Sequence, residues 1–554
     1  MKYTVDLHTA KAYATVVVDD RPLFRLRLFA SLDTVGGFDE SYGDLAVDVA
    51  ESADGLVVTT TAQSTVWDSR VTTTRFLSDR IETSTVVTGQ GRLTDVHLLG
   101  GRRTPRGFLP SGSGLQRVYS PNPDHPTRVM RYALEAATIS VCGEGSEPGI
   151  ERWLFTPAPW CFAATVDDQW LGLSVVAPVA EQNFTSYHYL PVTGGFSLRL
   201  DYEGQTAVDG SFSTPPLVVH LGGSSAEDVL VRHRSLLDSS GVVPERKVAD
   251  ADWWRGTIFC GWGAQCALGA RTEQAPQPLA TEANYDRFLD TLAAQGIVPE
   301  TIVIDDKWQA SYGTCRPDPE KWSDLKGWIA RRHAAGQRVL LWWKAWDEEG
   351  APADACVTDA GGNPVGLDPE SPAGVALITE AVEYMLGELD ADGFKIDFTA
   401  RTPSGSSLRH RGSRWGAALL HEQLRLVYDT AKRVKPDALV VTHTPNPAFL
   451  DVTDVIRLND VLRDDTAEPG YVARHMAYRA GVVRSVCPEL GIDTDGWMMP
   501  SHAEWLEYVK VQGGLGVPAL YYVDGTDTDR YDFGAGDFDA VKDSWERYRA
   551  ALNL

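Results

Sequence analysis

Gly393-Phe-Lys-Ile-Asp397 is a short apolar run that ends on a carboxylate, and Val455-Ile-Arg-Leu-Asn-Asp460 repeats the pattern further along the chain. A strand of a parallel barrel presents its last residue at the C-terminal face, so each run reads as a barrel strand with an aspartate at its mouth. From about residue 250 onward, such runs alternate with amphipathic segments. The expected strands are Thr257–Gly261, Thr301–Asp305, Arg338–Trp343, Gly393–Asp397, Ala438–Thr442, Val455–Asn459, Gly491–Asp495 and Val517–Val523. Helices are expected over Glu282–Gln295, Glu380–Leu389 and Ala417–Val434. This alternation predicts a closed (β/α)8 TIM barrel, although the stretch between the fifth and sixth strands is too short for an ordinary helix.

The first part of the chain has a different rhythm. Phe24-Arg-Leu-Arg-Leu28, the Thr-rich stretch from Val57 to Val87, Trp170-Leu-Gly-Leu-Ser-Val-Val176 and Phe196-Ser-Leu-Arg-Leu-Asp-Tyr202 alternate with period two. That pattern, broken by Gly, Pro and Asp, predicts antiparallel strands and a large β-sandwich. Ser224-Ser-Ala-Glu227 resembles a capping box, with Val229, Leu230, His233, Leu236 and Leu237 following at helical spacing. The expected organisation is therefore an N-terminal β-sandwich over 1–223, a connecting helix and linker over 224–250, and a catalytic barrel over 251–554.

A net charge of −25 argues against sequence-independent binding to nucleic acid or anionic membrane, because either needs a basic face. No run approaches the roughly 20 apolar residues of a membrane helix, and Met1-Lys-Tyr-Thr-Val-Asp-Leu-His8 does not read as a leader. Seven scattered cysteines without a CxxC fit reduced thiols, and a cytoplasmic protein is expected. Cys260 and Cys266 flank an expected active-site loop, where a small buried side chain is the favoured role. His421, His443, His475 and His502 lack metal-ligand spacing, and no phosphate loop or dinucleotide fingerprint opens a helix, so no metal or cofactor is expected.

The expected strand ends bring together Trp262, the Asp305-Asp306-Lys307-Trp308 run, the Trp343-Lys344-Ala345-Trp346 run, Lys395 and Asp397, His443, Arg457 and Asp460, Asp493 and Asp495, and Asp524. Carboxylates accept hydrogen bonds from sugar hydroxyls, and indoles cover the apolar faces of pyranose rings. Two carboxyl groups over one pocket are what glycoside hydrolysis needs. Aspartates at strand ends also serve as turn residues or helix caps, so it is their company that points to chemistry.

Several short motifs in one order then resemble glycoside hydrolase family 36, nearest to the branch of alkaline α-galactosidases, seed imbibition proteins and raffinose synthases. They are Ile304-Asp-Asp-Lys-Trp-Gln309, Asp392-Gly-Phe-Lys-Ile-Asp397, Ile456-Arg-Leu-Asn-Asp460, Asp493-Thr-Asp-Gly-Trp-Met-Met-Pro-Ser-His502 and Tyr521-Tyr-Val-Asp524. The resemblance implies a retaining exo-acting α-glycosidase, an α-galactosidase first of all, with Asp397 as nucleophile and Asp460 as acid/base. It also implies that Asp305 and Asp306 grip sugar hydroxyls. Substrate-binding roles are expected for Trp262, Asp305, Asp306, Trp308, Trp343, Lys344, Trp346, Lys395, His443, Arg457 and Asp495, and the partner expected is an α-linked oligosaccharide or glycoside.

The alternatives are a transglycosylase of the raffinose-synthase type, an α-glycosidase for another sugar, neutral or anionic, and a non-catalytic carbohydrate-binding protein. Lys307, Asn459 and the Trp343-Lys344-Ala-Trp346 run depart from the family pattern. Lys344 is expected to neutralise Asp305 or Asp306, with binding of an anionic substituent as the other reading. One helix follows the eighth strand, without the C-terminal β-domain that members usually carry, and a homo-oligomer is one way to cover that surface. Between Thr399 and Trp415, an irregular segment with Arg401, Arg409, Arg411 and Arg414 is read either as a subsite or as a solvated loop paired with neighbouring acids.

Overall fold

Alternation in the first part of the chain becomes antiparallel sheet, running from Thr4–His8 to Leu217–Gly223. The computed structural model describes residues 2–111, 115–122, 128, 130–142, 154–464 and 467–552. Its longest strand, Arg80–His97, turns the corner of the sandwich. The first part pairs with Ser69–Leu77, Ala207–Ser213 and Leu217–Gly223, and the end pairs with Ser31–Thr34 and Gly195–Asp201. Gly89, at φ +135°, and Gly91, where a Cβ would come within 3.1 Å of the Trp67 ring, sit at the bend. A strand that passes between two packed sheets needs such a bend. The inward face of Ser69–Leu77 carries threonines as well as Phe76. Their hydroxyls pair across to the next strand, Thr72 with Thr85 at 2.8 Å and Thr74 with Thr83 at 3.2 Å, which satisfies polar groups that burial would otherwise strand.

The helix Ala226–Ser239 starts one residue later than its sequence signature implies. Ser225 caps Asp228 N–H, and the Asp228 carboxylate accepts from Ser224 N–H at 2.8 Å, so Asp228 rather than Glu227 completes the box. This helix packs on strands of the sandwich and on the barrel helix Tyr471–Val486. Arg234 ties it to Glu489 at 2.6 Å and to the Val486 carbonyl at 2.8 Å.

The eight parallel strands are Ile258–Cys260, Thr301–Ile304, Arg338–Lys344, Gly393–Asp397, Leu439–Thr442, Val455–Arg457, Gly491–Asp493 and Ala519–Leu520, in barrel order. Ile258 pairs with Ala519, and a parallel bridge from Asp493 to Val517 brings the seventh strand to the approach of the eighth, so the barrel is nearly closed. Only the short helical turn Pro447–Phe449 lies between the fifth and sixth strands. The helix expected over Glu380–Leu389 begins earlier, at Pro372, behind a Ser371 cap, and Tyr384–Glu388 forms a π-helical turn. No described helix is long and apolar enough to cross a membrane, and all seven cysteines are free.

The sandwich reaches over the C-terminal face of the barrel. Thr156 N–H donates to the His443 carbonyl at 2.9 Å, Asn446 Nδ2 to the Ala158 carbonyl at 2.9 Å, and Asn459 Nδ2 to the Leu154 carbonyl at 2.8 Å. These bonds seat the segment around Leu154 against the ends of strands five and six.

Candidate active site

A cavity of about 210 Å³ opens at that face, with Asp305, Asp306, Lys395, Asp397 and Asp460 in its wall. Its apolar surfaces come from Leu154, Trp262, Trp342, Phe398 and Trp497. Carboxylates together with flat indoles give one lining both hydroxyl acceptors and C–H partners.

Arg457 organises the charge. Its guanidinium is buried and donates to three carboxylates, Asp397 at 2.9 Å, Asp460 at 3.1 Å and Asp495 at 2.7 Å. Asp397 Oδ1 also accepts from Phe398 N–H at 2.9 Å, and Oδ2 from the Trp342 indole at 3.2 Å. Burial alone would push the Asp397 pKa up, but Arg457 and Lys395 with the Phe398 N–H hold it well below the usual carboxylate range. Asp460 goes the other way. Burial outweighs Arg457, Asp495 and Asp397 add like charge, and its pKa is pushed up to about 7. Its carboxyl is still 37 % exposed to the cavity, so a bound ligand that displaces water would strengthen the same trend.

The backbone that carries Asp460 is itself held. Asn459 has a left-handed φ of +67°, and its Oδ1 accepts from Asp460 N–H at 2.9 Å. Arg479, fully buried, donates through one nitrogen to the carbonyls of Leu458, Asn459 and Asp460 at 2.7, 2.9 and 2.8 Å.

Lys395, two residues before Asp397 on strand four, pairs with Asp305 at 2.7 Å rather than with Asp397. The Cys260 thiol, its pKa raised by burial and then by Asp305, donates to Asp305 Oδ2 at 3.0 Å. Asp305 and Asp306 are consecutive, yet both line the cavity, because the strand has ended and the chain turns at Lys307, φ +68°. Burial pushes the Asp306 pKa up to about 6, against a hydrogen bond from Tyr312 that lowers it.

Strand three corrects the sequence reading. Residues alternate faces along a strand, so Trp343 and Lys344 cannot both point inward. Trp342 faces the cavity, whereas Trp343 is buried on the outer side with its ring 5.5 Å from Phe394. Lys344 neutralises neither Asp305 nor Asp306 by contact. It pairs with Asp347 at 2.5 Å. Trp308 and Trp346 are buried outside the cavity wall, donating to the carbonyls of Trp342 at 2.8 Å and Thr399 at 3.3 Å. His443 and Asp495 lie behind the wall. His443 meets Thr399 Oγ1 at 2.6 Å and Arg457 at 3.3 Å, and burial, then Arg457, lower its pKa to about 3, so it is neutral. Asp524 pairs with Arg287 at 2.6 Å, outside the wall.

Of the Arg-rich segment, Arg414 pairs with Glu370 and Arg401 lies over the Phe398 ring, 4.6 Å from its centroid. Beyond Asp460 on the same segment, Asp464 stands outside the cavity lining and Asp465 outside the described residues.

Sequence reasoning missed Trp342, Leu154, Gln277, Phe398, Trp497 and Tyr312. Strand parity alone would have selected Trp342 over Trp343. Trp497 lies within a motif already noted, but Leu154 and Tyr312 come from irregular segments and Gln277 from a single 3-10 turn, none with a periodic signal.

Neither a protein-family model nor a curated protein sequence matches the chain. Solved structures do match its fold. A family GH31 sulfoquinovosidase from E. rectale, in complex with an aza-sugar inhibitor, superposes with a TM-score of 0.59 at 11 % identity, over 98 % of this chain and 81 % of that one. An α-galactosidase from Thermus thermophilus in complex with stachyose gives 0.53 at 14 % identity, over 90 % and 99 %. An uncharacterised protein from Listeria monocytogenes in complex with glucose, magnesium and calcium gives 0.57 at 11 % identity, over 99 % of this chain, which spans only 59 % of that protein's length.

Proposed function

We propose that the chain is a retaining, exo-acting α-glycosidase, with an α-galactoside as its substrate, of the kind its family 36 motifs resemble. The observation that carries this reading is Arg457, one guanidinium bonded to two carboxylates of opposite protonation tendency in one cavity wall. A pair of carboxyl groups whose pKa values are pushed apart supplies a base or nucleophile and an acid at the same pH.

Asp397 is the nucleophile. Its Oδ1 is taken up by Arg457 and Phe398, which leaves Oδ2, with a long bond from Trp342, to attack the anomeric carbon. As that C–O bond forms, Asp460 gives its proton to the glycosidic oxygen and the aglycone leaves with the bonding electron pair. The Asp460 carboxylate then takes a proton from water, whose oxygen displaces Asp397 and regenerates both groups. A cavity of about 210 Å³, below the roughly 300–1,000 Å³ of drug-sized sites, suits one sugar ring and supports action at a chain end.

A neutral sugar is favoured over an anionic one. Among the described residues around the cavity, Lys395, Arg457, Lys344 and Lys307 are each already paired with a carboxylate. The fold neighbours named as a sulfoquinovosidase and an α-galactosidase keep both substrate classes in the test.

The test is turnover of aryl α-galactoside, α-glucoside and anionic α-glycosides, with the first-formed anomer read by proton NMR. Release of the α-anomer from the galactoside is expected. The β-anomer, or no turnover of any glycoside, would overturn the reading. A crystal structure should place the two carboxyl groups about 5 to 5.5 Å apart, against ~6.5 to 9.5 Å for an inverting pair.

A further inference from the structure

The two lysines that depart from the family pattern meet at one tyrosine. Tyr312 lies in the loop after strand two, and its hydroxyl donates to Asp306 Oδ1 at 2.7 Å. Lys307 Nζ and Lys344 Nζ stand 3.9 and 4.2 Å from the centroid of its ring. Each ammonium is anchored to the turn after strand three, Lys307 to Glu349 and Lys344 to Asp347, both at 2.5 Å. Glu349 also accepts from Tyr312 N–H at 2.9 Å, and Gly313 N–H donates to the Glu349 carbonyl at 3.0 Å. Neither lysine lines the cavity; Asp306 does.

We propose that Tyr312 is a positioning residue of the sugar site: it fixes Asp306 through one carboxylate oxygen and leaves the other to accept from a hydroxyl of a neutral sugar, while Lys307 and Lys344 lock its ring. This rests on the reading of the cavity as a glycoside site.

The arrangement solves a specific problem. Asp306 adjoins Asp305 and faces Asp397, with Lys344, Lys321, Tyr285 and Tyr312 as the other titratable groups acting on it. A lysine in contact would keep Asp306 ionised but occupy the lone pairs that a sugar hydroxyl needs. A phenol takes only one. Cations against its π face hold the ring in place without bonding to the carboxylate itself. The same use of both lysines removes them as ligands for a sulfonate or carboxylate on the substrate.

The consequence is measurable as a proton equilibrium. Burial already pushes the Asp306 pKa up to about 6, and the Tyr312 hydrogen bond opposes that rise. Tyr312→Phe removes the donor, so Asp306 should protonate at higher pH. The acid limb of kcat/KM for an aryl α-galactoside should move up by about one pH unit, the equivalent of a roughly tenfold tighter proton. The loss should appear in KM more than in kcat. Lys307→Met and Lys344→Met should move the limb the same way by less.

A second readout does not depend on turnover. Infrared difference spectra of wild type minus Asp306→Asn follow the Asp306 carboxyl directly, and in Tyr312→Phe, or in Lys307→Met should the first variant fail to fold, its protonated band should persist to higher pH. An unchanged carboxyl titration would overturn the proposal. So would a Lys344→Met enzyme that loses only an anionic glycoside. If wild type turns over no glycoside, the proposed function fails while the infrared titration still decides whether Tyr312 holds Asp306.

Discussion

The ends of strands four and six carry the same residue type against the same arginine, and they behave oppositely. Asp397 collects Arg457, the Phe398 N–H and the Trp342 indole, whereas among the described residues the Asp460 carboxyl has Arg457 alone at 3.1 Å, with Asp495 close by. A shared cation therefore does not make two carboxylates alike. The number of additional donors, set against burial and like charge, decides which one stays ionised and which one keeps a proton.

The largest test of that contrast removes each group. Asp397→Gly should lower turnover of every substrate by more than about 10⁴-fold, and azide, entering the vacated space, should restore it as a β-glycosyl azide identified by NMR. Asp460→Ala should lose ~10² to 10⁴-fold on substrates with poor leaving groups and far less on activated aryl glycosides. Equal losses on both would break the assignment of the acid.

The pH profile sharpens the same comparison. Asp460 must be protonated to give its proton, so activity should fall as pH rises past its raised pKa of about 7. Asp306 must be ionised to accept, so activity should fall as pH drops past about 6. Asp397, depressed well below both, contributes no limb in this window. The expected curve of kcat/KM is a narrow bell between those limbs, and Asp460→Ala should lose the alkaline one.

Strand three offers the smallest and most local contrast. Trp342→Phe removes the donor to Asp397 and should cost about tenfold in kcat/KM, together with a packing loss of ~1 to 2 kcal/mol because its ring is fully buried. Trp343→Phe, on the outer face, should leave kcat/KM within about twofold but lower stability by ~1 to 2 kcal/mol through a packing defect. Similar thermal melts with different kinetics on the two variants separate the cases, and a reversed kinetic pattern would mean that the strand register is wrong.

Both halves of the architecture were legible in the chain. Period-two alternation marked the sandwich, and short apolar runs separated by amphipathic helices marked the barrel, because both signals are local and repeat along the sequence. The same runs put Asp397 and Asp460 at strand ends. Strand parity at Trp342-Trp343-Lys344 is also a local signal, and it places Trp342 and Trp343 on opposite faces. Local patterning could not reveal that Arg457 reaches three carboxylates, that Lys395 chooses Asp305 over Asp397, that Leu154 crosses from the sandwich into the cavity wall, or that Lys307 and Lys344 converge on Tyr312. Each of these depends on where a side chain from one strand or loop meets another that is distant in sequence. Sequence fixes the periodicity that makes a strand and the residue at its end, but a partner across the barrel, and the burial that sets a proton's affinity, exist only once the eight strands have closed around them.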